Sequence, residues 1–379
     1  MSLTSKSPRT VVLAALAVGK GAYADYSHPN SPRKYTQPQL FACLVLMTFL
    51  RTDYRGVEEH LKDLPAYREW LGLEHVPDHS TLHKAVPRLL GHTLAIKAVH
   101  STIRMTLGEH PRIKKAAADS SGLESGHRSP YFVKRRQRGQ KSAQNPLFQT
   151  TTYTRFPKLS TLVDCNTHLV LSMLSGTGPS PDMHDLPALL ADVPANVTLL
   201  KLLADAGYDS QANHQYLREE HGIQSLIPAQ IGRPTSKPPS GHWRRLMRRL
   251  LGTPQSRQRS GYSQRWQVET VYSMIKRNLG DELASRSYHA QCREQRLMVI
   301  THNVMILLVF IEVFDRALPT PLSSPRGRLS IPPVYPNRRR RRINQRLPTP
   351  FRRPALTRSA TAVAPFCLRI QLLKWFPFA

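Results

Sequence analysis

Val197-Thr-Leu-Leu-Lys-Leu-Leu-Ala-Asp205-Ala-Gly207 is the stretch that decides the fold. Its apolar run has the length of one buried strand, ends on an acidic side chain, and is broken by glycine two residues later. Ile113 to Ala118 repeats the pattern, running into Asp119 and stopping at Gly122. Either aspartate alone reads as a turn or cap residue. Together, two strands that finish on aspartate bring two carboxylates to one end of a sheet, where functional groups sit on loops held by a rigid scaffold.

Working outward, Lys158 to Asp164 and His168 to Leu174 are β-like runs that flank Cys165-Asn166-Thr167, a hairpin turn. Met183 to Val193 and Ser210 to Glu220 have helical spacing, and Ile223 to Ile227 is strand-like before Pro228. Three strands, helix, strand, helix, strand and a later helix predict an α/β fold, a mixed sheet flanked by helices. Thr36 to about Leu90 is helical, with a turn and cap at Pro77-Asp78-His79-Ser80. That region is a small all-helical domain, either a plain bundle or a module for recognising DNA ends. The expected division is an N-terminal extension (1–35), the helical domain (36–110), the α/β domain (111–314) with a basic insertion at about 231–261, and a tail (315–379).

The 379 residues carry 54 Lys and Arg against 25 Asp and Glu, a net charge of +29 that calls for a polyanionic partner. Two long stretches, Ser125 to Val163 and His221 to Val268, hold no acidic residue at all. The first contains Lys134, Arg135 and Arg136 beside Tyr131 and Phe132, and the second contains Arg244, Arg245, Arg248 and Arg249 after Trp243. A lone charge run is usually a solvated face; two acid-free zones around the candidate carboxylates predict a track along phosphates. Beyond Leu318 the chain is Pro-rich and basic, with Arg338 to Arg342 unbroken, and too poor in apolar residues to order itself, so a disordered basic tail is expected.

Other classes fit less well. The four cysteines are far apart and make no zinc pattern or disulfide framework. Lys6, Arg9 and the apolar stretch Val11 to Gly19 have the look of a secretory leader, but Lys20 cuts it short and a cytoplasmic, nucleoid-associated location is expected. Leu297 to Phe314 is apolar enough to suggest a membrane span, yet His302, Asn303 and Glu312 make it a buried helix.

A helix from Tyr262 to Gly280 puts Arg265, Glu269 and Lys276 on one face, at offsets of 0, 4 and 11, with Tyr262 at its edge. Val268, Val271, Ile275 and Leu279 form a separate apolar stripe for the sheet. Arg265 and Glu269 alone would be an ordinary surface pair. With Asp119 and Asp205 the set becomes three carboxylates on two strands and one helix, the oxygen-rich donors that two Mg²⁺ (or Mn²⁺) ions require for phosphoryl transfer. Arg265 and Lys276 would hold phosphates. Trp266 has two readings, a base stack or core packing. Asp209 and Glu124 are read as local structure.

Tyr262, Arg265, Glu269 and Lys276 match, at every spacing, the Tyr-Arg-Glu-Lys pattern of the DDE transposases of bacterial insertion sequences, and the chain resembles their insertion-sequence-four superfamily. Ala118-Asp119-Ser120-Ser121-Gly122 and Ala204-Asp205-Ala206-Gly207-Tyr208-Asp209 are similar to the family's first and second catalytic aspartates, and Pro77 to Leu82 to its amino-terminal domain. The resemblance covers roughly Thr36 to Phe314. It implies a ribonuclease-H-like core, opening of a phosphodiester by water at each element end, and attack of the freed 3′-hydroxyl on another strand. It also implies contacts of Tyr262 and Lys276 with DNA near the cut, and double-stranded DNA as partner, engaged by a homodimer and no membrane. A DNA-binding relic, or a nuclease that cuts and never joins, are the other readings.

Overall fold

The computed structural model describes residues 4–126, 155–230 and 238–317, with side chains as far as Leu307. All of these lie within one compact unit, Met1–Pro319, and the second unit, Thr320–Ala379, falls outside the described residues. So do Lys134, Arg135 and Arg136, the start of the basic insertion, and nearly all of the expected tail.

Six helices come first. Pro8 opens α1 (Pro8–Ala22) and the Ser7 side chain accepts from the Thr10 amide, a preorganised first turn. Val11, Val12, Ala15 and Val18 are fully buried along one face. That face packs on α2 (Gln37–Phe49), on α6 (His92–Leu107) and on the last helix. The apolar stretch that gives residues 1–35 the look of a detached extension is thus part of the helical core. Thr36 and Gln39 cap α2 reciprocally. Asp53 caps α3 (Tyr54–Asp63), and α4 (Pro65–Leu71) stops at Gly72, whose φ of 62° is the left-handed conformation glycine tolerates. Asp78 caps α5 (His79–Leu89) by accepting from the Ser80 amide, as the Pro77-Asp78-His79-Ser80 turn predicts.

The strands are β1 (Arg112–Ile113), β2 (Ala116–Gly122), β3 (Glu124–Ser125), β4 (Phe156–Asp164), β5 (Val170–Gly178), β6 (Thr198–Leu199), β7 (Lys201–Ala204), β8 (Gln224–Leu226) and β9 (Glu282–Leu283). They are interspersed with α7 (Asp185–Ala191), α8 (Gln211–Gln215), α9 (His242–Leu250), α10 (Pro254–Ser260), α11 (Trp266–Leu279) and α12 (Tyr288–Ala317). The main sheet runs β5-β4-β2-β7-β8. β2 pairs antiparallel with β4 and parallel with β7, and β8 continues the parallel half. Ala116, Ala117 and Ala118 are completely buried in the central strand, where small side chains let helices approach closely.

α11 packs on β2 and β4, while α6 and α12 pack on β5. Asp164 closes the expected hairpin by accepting from the Asn166 and Thr167 amides and the Thr167 hydroxyl. Among the described residues no helix is long and apolar enough to cross a membrane. The polar pair inside α12 is instead bonded to the sheet: Asn303 donates to the Val170 carbonyl and accepts from the Val170 amide, and His302 Nε2 lies 3.1 Å from the His168 carbonyl. Burial holds the His302 ring well below its ordinary value, at about 4, so it is a neutral donor at physiological pH.

Candidate active site

Parallel pairing of β2 with β7 matches Ala116 to Leu202, Ala117 to Leu203 and Ala118 to Ala204. The next residues along the two strands are Asp119 and Asp205, so two acidic residues follow the last paired position of neighbouring strands, which lie about 4.8 Å apart. Asp119 Oδ1 accepts from the Ser120 amide and Asp205 Oδ1 from the Ala206 amide, so each carboxylate is held by the amide that follows it. Asp205 follows the last residue of β7, whereas Asp119 lies in the middle of β2, which the sequence pattern ends there but which runs on to Gly122 paired with β4. The third member arrives on α11, which packs Val268, Val271, Ile275 and Leu279 into the core, as the apolar stripe predicts, and leaves Glu269 exposed.

Arg265 joins these elements. Its guanidinium lies 3.3 Å from Asp119 Oδ2 and 2.5 Å from Glu269 Oε1. Burial pushes the Asp119 carboxyl above its ordinary range, and the charges of Asp205 and Glu269 push it the same way, against the Ser120 amide and Arg265. The three acids therefore share one field, and a cation already sits between two of them.

The chain begins α11 differently from expectation. Tyr262 to Arg265 forms a tighter 3₁₀ turn that precedes the α-helix, and Tyr262 is buried with its hydroxyl donating to the Ala204 carbonyl at 3.2 Å. In this conformation it secures the end of β7 beside Asp205 and does not face outward. Lys276 Nζ donates to the Gly122 carbonyl at 3.0 Å, pinning the far end of β2. Trp266 is 52% exposed, which removes the core-packing reading.

Residues that sequence reasoning missed complete the frame. The Tyr272 hydroxyl lies 2.7 Å from the Asp119 carbonyl and 3.0 Å from both the Leu159 carbonyl and Thr161 Oγ1. Its place three residues after Glu269, next to it on the helix surface, was the available signal. Lys158 is buried and paired with Asp182 at 2.6 Å and Asp185 at 2.9 Å, and Ser120 donates to Asp182. No spacing in the sequence links these distant side chains.

The four arginines of α9 separate. Arg244 makes two 2.8 Å contacts with Asp209 Oδ2, a carboxylate with no exposed surface, so Arg244 anchors the helix and is not available to a phosphate. Arg245, Arg248 and Arg249 are exposed. Asp209, read as local structure, is thus the fastening of the basic helix. Among the described residues, three metal-ligating atoms lie within 4.8 Å of one another only at Glu58, Asp78 and His79. There Glu58 accepts from His79 and pairs with Lys62, and Asp78 caps α5, a helix-end network remote in sequence from the acidic sheet end.

Residues 113–306 match the family model described as the transposase DDE domain, and the chain belongs to that family. The matched segment contains Asp119, Asp205, Glu269 and the Tyr262 to Lys276 pattern. No curated protein matches the chain. A solved structure of a piggyBac transposase synaptic complex with hairpin DNA is similar at 9% identity and a TM-score of 0.41, over 82% of this chain and 77% of that one, too slight a likeness to bear on the site.

Proposed function

We propose that the chain is an insertion-sequence transposase of the insertion-sequence-four type, cleaving and rejoining DNA with Asp119, Asp205 and Glu269. The observation that carries this reading is the β2–β7 register, which places Asp119 beside Asp205 while Arg265 reaches from Asp119 to Glu269. Central strand first, two antiparallel strands to one side and two parallel strands to the other is an order that supports a ribonuclease-H-like core.

The donor set fits divalent metal. All three side chains offer hard carboxylate oxygens, Mg²⁺ or Mn²⁺ takes such ligands, and the site already draws a cation between two of them. When bound, a pair of such ions would supply an activated attacking oxygen and stabilisation of the departing one. Arg265 must then release at least one carboxylate, which frees its guanidinium for a phosphate of the bound strand. Tyr262 holds the end of β7 through the Ala204 carbonyl and Tyr272 holds the middle of β2 through the Asp119 carbonyl, so the acids do not drift apart when the arginine moves. Water opens a phosphodiester to leave a 3′-hydroxyl and a 5′-phosphate. That 3′-hydroxyl attacks a second phosphodiester, forming one bond and releasing one 3′-hydroxyl. Double-stranded DNA is the substrate, held in part by Arg245, Arg248 and Arg249, with a second copy of the chain on the other end.

The test is a plasmid carrying the borders of the element that encodes the chain, incubated with purified protein and Mg²⁺. Nicked and joined products are expected from the wild type, and binding without cutting from Asp119→Asn, Asp205→Asn and Glu269→Gln. Cutting without joining would make it a nuclease, and binding alone from the wild type would make it a relic.

A further inference from the structure

A second cationic feature lies beside the site, on residues that no motif singles out. A cleft of about 430 Å³ opens where β1 hands over to β2, and Arg112, Lys114, Lys115 and Gln264 line it. That volume is in the range of clefts that hold small ligands, about 300–1,000 Å³. Arg112 and Lys114 are exposed and Lys115 half-buried, and none of the three has an acidic partner within salt-bridge distance among the described residues. Asp164 is the acid in the lining, but it is 4% exposed and accepts three hydrogen bonds from its own hairpin. The cleft therefore presents unbalanced positive charge between low-dielectric walls, which concentrates the field.

The cleft also borders the turn that carries Arg265 to the acids. Lys115 lies across Gly261, where an added Cβ would meet Nζ at 2.7 Å, directly before the Tyr262–Arg265 turn. Gln264 lines the cleft, and its neighbour Arg265 holds Asp119 and Glu269. From Lys115 to Asp119 is four residues of extended chain, about 13 Å at about 3.3 Å each. At about 3.4 Å per nucleotide along a strand, that is on the order of four nucleotides.

We infer that Arg112, Lys114 and Lys115 form a phosphodiester-binding cleft that grips one DNA strand about four nucleotides from the bond being cut. The inference rests on the transposase reading for its substrate. It assigns the grip to the β1–β2 junction, separate from the arginines of α9. Backbone contacts of this kind position a strand without reading its sequence.

Binding of a fluorescein-labelled random-sequence duplex, measured across a salt series, tests it with the full chain. Lys114→Gln with Lys115→Gln is expected to weaken binding roughly tenfold per lost contact at about 0.1 M salt, and to lower the slope of log K against log salt by about 2. On the wild type, mass spectrometry should find Lys114 and Lys115 shielded from acetylation when the duplex is present, a readout that needs no variant to fold. An unchanged salt slope in a folded double variant, or equal acetylation with and without DNA, overturns the cleft. Wild type that cuts DNA while the lysines stay unshielded would sink the cleft and leave the transposase reading standing. Shielded lysines in a wild type that never cuts would do the reverse.

Discussion

Asp205 and Asp209 belong to one short motif, yet they sit in opposite environments. At the sheet end, Asp205 is exposed, and its companions Asp119 and Glu269 share one guanidinium that is itself 22% exposed. In the seam below α9, the Asp209 side chain has no exposed surface and meets Arg244 at 2.8 Å, the Gln230 amide at 2.7 Å and, more loosely, His214 at 3.5 Å. Burial alone would push the Asp209 carboxyl upward, but these donors outweigh it and hold it below its ordinary value. At Asp119 the balance goes the other way. Residue type does not separate an acid committed to the fold from one left able to change partner; the number of donors converging on each carboxylate does. Three N–H groups converging on Oδ2 commit Asp209 to the fold, whereas the sheet end leaves its acids able to change partner.

The sharpest way to break this contrast is to neutralise the sheet end. Asp119→Asn, Asp205→Asn and Glu269→Gln should each lower cleavage by about 10³-fold or more. Melting temperatures should be unchanged, or slightly raised for Asp119→Asn, because burial there disfavours the charge. A large loss of stability in any of them would make that acid structural. Asp209→Ala or Arg244→Ala should do the opposite, costing about 3–5 kcal/mol in urea denaturation by stranding a buried partner. A loss under about 1 kcal/mol would mean the seam is wetter than its burial implies.

His302 extends the comparison to pH. Its ring falls from an unfolded value of 6.5 to about 4 because burial disfavours the cation. A depressed folded value contributes stability above pH 6.5 that is lost as pH falls toward about 4, up to about 3 kcal/mol in all. Chemical denaturation at stepped pH should show this slope, and His302→Leu should flatten it. Below that range the Asp209 seam weakens in turn, since its depressed value makes its contribution disappear only in stronger acid. The smallest effect is expected at Arg265. Arg265→Ala should change stability by less than about 1 kcal/mol, since its pairs are partly solvated, while cleavage drops. A substantial destabilisation would mean the guanidinium is a fixed strut and cannot swing to a phosphate.

Much of the sheet is legible because local marks punctuate it: Asp205 before Gly207 ends β7, and Asn166 turns the hairpin. Asp119 before Gly122 misleads in part, since pairing with β4 carries β2 on to Gly122. α11 is legible through Val268, Val271, Ile275 and Leu279, an unmistakable period. What escaped depends on three-dimensional phase. Arg244 differs from Arg245, Arg248 and Arg249 only in facing Asp209, and no run of arginines reveals which one turns inward. The heptad spacing predicts Tyr262 on the edge of an α-helical face, but a 3₁₀ turn rotates it inward toward Ala204. Lys158 and Asp182 meet across a gap in the chain that pattern cannot bridge, and α1 was obscured because a short apolar helix after basic residues has the same composition as a leader.

The last helix carries a practical consequence for anyone wishing to excise the family segment. Arg51, from the loop after α2, donates to the carbonyls of Arg277 and Asn278 at the end of α11, and Asn303 of α12 reaches Thr102 on α6. Arg296 likewise donates to the Leu90 carbonyl, and the Ser5 amide to that of Met305. A fragment cut to residues 113–306 would bare the flank of α12 that packs on α1 and α6 and remove the Thr102 partner of the buried Asn303. The amino-terminal helices share one core with the homology unit, so that segment is expected not to fold alone.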